Sequence, residues 1–104
     1  IRFTKFDVIE EVLPPADLIL SRDMLIHFSF KDAAIAIENF HRSGCRYLLT
    51  NTYPDVTENK DIKTGSWRPI NLSEEPYNFS LPIHTIEEYS SDEHGRKQLA
   101  LYAL

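Results

Sequence analysis

One stretch, DLILSRDMLIHFSFKDAAIAIENFHRSG, residues 17–44, restricts the possible folds more than any other. Leu18, Ile19 and Leu20 form a short continuous apolar run bounded by turn residues, the pattern of a strand covered on both faces in a parallel sheet. From Ser29 the period changes to threes and fours, and Phe30, Ala33, Ala34, Ile37 and Phe40 fall on one helical stripe. Ser29 with Asp32 three positions later predicts the helix start, and Gly44 predicts its end. RYLLTNTY, rich in Thr and aromatics, then predicts another strand.

The remaining segments extend this α/β pattern. IRFTKF alternates imperfectly and predicts a strand ahead of the break at Pro14 and Pro15. Residues 54–82 show no sustained period and carry Pro54, Pro69, Pro76, Pro82 and the sole tryptophan, Trp67. A segment that long without a period predicts a functional loop, and its apolar content predicts an ordered one. IHTIEEYSS and QLALYAL, joined by the polar turn DEHGRK, predict an antiparallel hairpin. With 104 residues the expectation is a single domain, residues 1–104, with parallel strands early and an antiparallel hairpin at the end.

Charge and apolar runs exclude several function classes. Sixteen acidic against eleven scattered basic residues, net charge −5, leave no positive field for a nucleic-acid backbone. No apolar run approaches the roughly 20 residues that span a bilayer, and no signal-peptide pattern is present, so the expected location is cytoplasmic, away from membranes. The lone cysteine, Cys45, has no internal disulfide partner, consistent with a reducing compartment. IRFTKFDVIEE begins without Met and already inside the predicted first strand, which predicts a fragment.

Ligands of an open α/β sheet bind outside the carboxyl ends of its strands. Asp7 follows the first predicted strand; Ser21, Arg22 and Asp23 end the second; Thr50, Asn51 and Thr52 end the third. Three strand ends therefore present polar side chains toward one edge, a candidate ligand site. The competing reading of Arg22 and Asp23 is a surface ion pair without function. His41 and Cys45 have H-x3-C spacing but are too few for a closed zinc site, so no metal is expected. Ser21 and Cys45 lack a His–acid pair at a recognisable spacing. Adjacent strand residues Glu87 and Glu88 face opposite ways and form no catalytic pair.

FDVIEEVLPPADLILSRDMLIHFSFKDAAIAIENFHRSGCRYLLTNTYP resembles the second half of class I S-adenosylmethionine-dependent methyltransferases, and SRDMLIHFS with NKDIKTGSWRPINL resembles a subset acting on small molecules. The resemblance implies a partial Rossmann-like methyltransferase sheet with a reversed strand inserted beside parallel ones, and S-adenosyl-L-methionine as cofactor. It implies that Asp7 and the Val8 backbone meet adenine, that Ser21 and Arg22 line the cofactor, and that Leu25 flanks it. His27 becomes a candidate general base toward a small-molecule methyl acceptor, or else a packing residue. Trp67 and Arg68 become acceptor-side residues, Arg68 toward a carboxylate or phosphate, or else Trp67 is a loop anchor. The glycine-rich loop and second-strand acidic residue of that family have no counterpart among these residues, whose only glycines are Gly44, Gly65 and Gly95. Half a sheet exposes strand edges, so self-association or a missing N-terminal segment is expected, and a non-catalytic module acting through protein contact is the alternative function.

Overall fold

The computed structural model describes residues 8–10 and 17–104; the predicted strand IRFTKF, Asp7 and the Pro14–Pro15 break lie outside the described residues. Strand β1 (Leu18–Ser21) leads through a 3₁₀ turn (Leu25–His27) into helix α1 (Phe30–Arg42). Strands β2 (Tyr47–Thr52), β3 (His84–Ser91) and β4 (Gly95–Ala103) follow. The chain is a small α/β domain with a mixed four-stranded sheet in the order β1-β2-β4-β3. β1 and β2 run parallel, with Leu18 opposite Tyr47 and Ser21 opposite Thr50. β4 is antiparallel to both neighbours, so among the described strands it alone is reversed, and it lies between β2 and β3.

Helix α1 begins where the sequence placed it, but its cap is more elaborate. The Ser29 hydroxyl accepts from the Asp32 N–H at 3.1 Å. A simple capping box would return the acidic side chain to the Ser29 N–H. Instead Thr64 stands between them, accepting from the Ser29 N–H at 3.0 Å and donating to the Asp32 carboxylate at 2.5 Å. Asp61 takes the Phe30 N–H at 2.9 Å. The long loop therefore supplies acceptors to the free N–H groups of the first turn, where negative charge also suits the helix dipole.

The buried face of α1 is rotated from the predicted stripe. Ala33, Ala36 and Phe40 are buried with Ile37 packed beside them, whereas Ala34 is exposed. Phe30 is only half-buried because the loop claims it: its ring stands edge-on to Tyr77 at 6.0 Å and 5.6 Å from the Arg68 guanidinium. Ala33, Ala36 and Phe40 share one core cluster with Leu48, Ala100 and Tyr102.

The helix covers one face of the sheet. Register places Leu18 beside Tyr47, Leu20 beside Leu49 and Leu101, and Ile86 beside Leu99 on the other face. There Leu18, Leu20, Tyr47 and Ile86 stay exposed, Leu20 at 62%. The apolar run of β1 thus has the composition of a strand covered on both faces, and among the described residues one face is covered. No helix of the described residues is long and apolar enough to cross a membrane.

Residues 53–83 hold no strand or helix yet are firmly tied. The Tyr53 N–H bonds the Ile70 carbonyl at 2.8 Å, and the Leu72 N–H bonds the Thr52 hydroxyl at 3.0 Å. Buried Ile70 and Leu72 join the core beneath this loop.

Candidate functional site at the strand ends

Beyond the last residue of β1 the chain turns sharply, with Asp23 at φ 55°, a left-handed conformation that Asp tolerates better than most residues. Three elements hold it there. The Asp23 N–H donates to the Asn51 side-chain oxygen at 2.8 Å, and Lys97 donates to the Asp23 carboxylate at 2.6 Å. Asn51 in turn donates to the Glu88 carboxylate and to the Gln98 carbonyl, the latter at 3.3 Å. Arg22 forms an ion pair with Glu88. Arg22 and Asp23 therefore do not pair with each other; each is answered by a charge on the hairpin. The convergence of the first two described strand ends is real, and β3 and β4 add a second wall to it.

A register irregularity between Glu87 and Tyr89 brings Glu88 to this edge. The Arg22 hydrogen bond holds the Glu88 carboxyl below its usual range, against the opposing effect of burial. Lys97 is 8% exposed, and its ammonium lies 5.5 Å from the centre of the Tyr89 ring. Burial, then the neighbouring Tyr89, pushes the Tyr53 phenol well above its ordinary range, so Tyr53 stays protonated. Ser21 is 5% exposed, and its hydroxyl is a buried side-chain group with no hydrogen-bond partner among the described residues. Buried hydroxyls are rarely left so.

The GSWRP segment crosses the 3₁₀ turn directly after this cluster. The Gly65 N–H bonds the His27 carbonyl at 2.8 Å and the Arg68 N–H bonds the Ile26 carbonyl at 3.2 Å. His27 Nδ1 lies 2.9 Å from the Ser66 carbonyl oxygen. A carbonyl only accepts, so Nδ1 carries the proton and Nε2 is left with the lone pair. Trp67 is 41% exposed and stands edge-on to Tyr53 at 6.4 Å and to His94 at 4.9 Å.

Two of the expected site residues, Arg68 and Leu25, are buried rather than open to solvent. Arg68 is 6% exposed, and its guanidinium faces inward. Its donors meet the carbonyls of Lys60 at 2.7 Å, Ile26 at 3.0 Å and Leu25 at 3.3 Å, and the Tyr77 hydroxyl at 3.2 Å. It is a clamp between the loop and the 3₁₀ turn, with four of its five N–H donors engaged inside the protein. Leu25, at 2% exposure, belongs to the core. Val8 is also a core residue, and its carbonyl accepts from Asn39 at 2.5 Å; Asp7 lies outside the described residues. Arg22 keeps a side chain that is 55% exposed.

Sequence reasoning passed over Lys97 and Glu88 as members of this site. A signal for Lys97 existed: it shares strand parity with Leu99 and Leu101, and a charge on an apolar face needs a partner. Among the described residues no group of three or more His, Cys, Asp or Glu is placed to hold a metal ion. A separate concavity of about 400 Å³ lies toward the other end of α1, between Ile37, His41, Phe79, Ile83 and Tyr102. It shares no residue with the strand-end cluster.

Comparison with known proteins returns no match to a protein-family model, a curated protein or a solved structure.

Proposed function

We propose that these residues form the carboxyl-terminal half of an S-adenosylmethionine-dependent methyltransferase acting on a small-molecule acceptor, on a partial Rossmann-like sheet. The observation that carries this reading is β4, which among the described strands is the one reversed and lies between β2 and β3. That arrangement is the one expected from the methyltransferase resemblance, and it places polar strand ends on the edge where α/β sheets take ligands. The unpartnered Ser21 hydroxyl fits a cofactor contact at the end of β1.

In this reading Ser21 and Arg22 line the cofactor, and Asp7 with the Val8 backbone takes its adenine. Bound S-adenosylmethionine supplies an electrophilic methyl group on a sulfonium. The chain's own part is positioning and proton removal: the Nε2 lone pair of His27 takes the proton of the acceptor's hydroxyl or amine, and the Ser66 carbonyl steadies the resulting imidazolium through Nδ1–H. Arg68 serves by holding the 3₁₀ turn and GSWRP together. A cytoplasmic location is part of the same proposal.

Charge reversal at Asp7 tests the adenine assignment. Calorimetric titration with S-adenosylhomocysteine is expected to show affinity weakened about tenfold in Asp7→Lys, the loss of one hydrogen bond to a charged group. Equal affinity would remove Asp7 from the site.

A second reading, a non-catalytic module acting through protein contact, is favoured by the open apolar face of Leu18, Leu20, Tyr47 and Ile86. Self-association, or docking of a segment that supplies the missing helical layer, would cover that face.

A further inference from the structure

Three elements wall the cavity of about 400 Å³ beside the last turn of α1: the helix itself, the end of the long loop and the end of β4. Ile37, Phe79 and Leu104 each pack against the core and also line this cavity, so they are only half-buried. The walls are held in place. The Phe79 N–H donates to the Leu72 carbonyl at 2.7 Å, the Ile83 N–H to the Leu101 carbonyl at 2.7 Å and the Leu104 N–H to the Arg46 carbonyl at 2.9 Å. The Phe79 ring stands edge-on to Tyr102 at 5.0 Å. Small-molecule sites are preformed concavities of this kind, of about 300–1,000 Å³, apolar with a few polar groups. Between the fixed points Phe79 and Ile83, Leu81 lines the rim at 86% exposure, and Ile83 itself is 57% exposed. An apolar occupant would take surface of both from water.

The polar lining narrows the ligand. No Asp, Glu, Lys or Arg is among the lining residues. A carboxylate, phosphate or ammonium seated here would lose hydration, with only the His41 imidazole and two neutral side chains to replace it. Those two are Asn78 and Ser80. The side chains of His41, Asn78 and Ser80 have no hydrogen-bond or ion-pair partner among the described residues, so their donors and acceptors are open to a ligand.

We infer that this cavity binds a neutral small molecule with a bulky apolar body and a hydroxyl or carbonyl group that meets His41, Asn78 or Ser80. The inference does not rest on the methyltransferase reading, because the cavity and the strand-end cluster have no residue in common.

The test is titration of the ¹⁵N-labelled chain with adamantanol, adamantane carboxylate and adamantanamine, which share one apolar body and differ in charge. Adamantanol is expected to give saturable shifts centred on the amides of Phe79, Ser80, Leu81, Ile83 and Leu104, and to bind about tenfold tighter than either ion. Ile83→Asp puts a carboxylate on the wall at an exposed position and leaves the backbone bond to Leu101 in place. In that variant adamantanol is expected to bind about tenfold more weakly, and adamantanamine to become the tightest of the three, while the spectrum keeps its folded dispersion. No saturable shift with adamantanol, equal affinity for the three probes, or shifts centred on Leu18, Leu20 and Tyr47 would overturn the inference. So would movement of the cavity amides on dilution of the chain alone, which would put a second copy there. Adamantanol binding without any response to S-adenosylhomocysteine would keep this site and remove the methyltransferase reading; the reverse result would do the opposite.

Discussion

Replacing Arg68 by Ala is expected to cost about 3 kcal/mol of stability, because several charged hydrogen bonds and a buried stem disappear together. The Lys60 carbonyl would lose its 2.7 Å bond, and the Tyr77 hydroxyl its contact with the guanidinium. The Ile26 and Leu25 carbonyls would each keep one backbone donor, from Arg68 and Phe28 respectively, so the 3₁₀ turn would loosen rather than vanish. The space beside Phe30 would open as well. Burial draws the Arg68 pKa below its ordinary value, yet the guanidinium keeps its charge, so a neutral substitute cannot reproduce these bonds. Arg68→Lys is expected to recover less than half of the loss, since one ammonium cannot reach both the Lys60 carbonyl and the turn. Urea unfolding of the three proteins measures this. A midpoint for Arg68→Ala within error of the parent would show that the clamp is not structural.

Asn59→Ala is expected to cost about 2 kcal/mol, through buried backbone groups left without partners. Asn59 is 8% exposed. Its amide donates to the Asn71 carbonyl at 2.9 Å and the Glu75 carbonyl at 2.8 Å, and its oxygen accepts the Asn71 N–H at 2.8 Å. Asn71 then reaches back to the Val56 carbonyl at 3.0 Å, so two asparagines tie three passes of the loop. Asn59→Asp is expected to be at least as damaging, since a carboxylate cannot donate to either carbonyl. Hydrogen exchange at the Asn71 amide gives the local readout: strong protection in the parent and its loss in Asn59→Ala. Retained protection in the variant would mean that other contacts organise the loop.

These two residues also show where the sequence stopped being legible. Ser29, Asp32 and Gly44 announce α1 because capping chemistry is local, and the alternation of QLALYAL announces β4 for the same reason. Loop 53–83 carries no such signal, because Arg68, Asn59 and Asn71 bind partners far along the chain and leave no period. The same holds for the site. Ser21, Arg22, Asp23 and Asn51 were readable as strand ends, whereas Glu88 depends on a bulge that the alternation of β3 conceals. Arg68 looked like a ligand contact because an Arg beside a Trp on a loop is commonly exposed; only tertiary packing turned it inward. Phe30 left the predicted stripe of α1 for a comparable reason, the pull of Tyr77 and Arg68 from the loop.

In the proposed function the ends of β1 and β2 form half of a cofactor site. The most direct test is to add S-adenosylhomocysteine to the ¹⁵N-labelled chain, follow every backbone amide, and record the mass in solution on the same sample. The account predicts saturable shifts concentrated at Val8 and residues 21–23, strengthening if the mass shows that a second copy or another segment covers the face of Leu18 and Leu20. No shift from a folded chain, or shifts confined to the groove between Ile37 and Phe79, would contradict it.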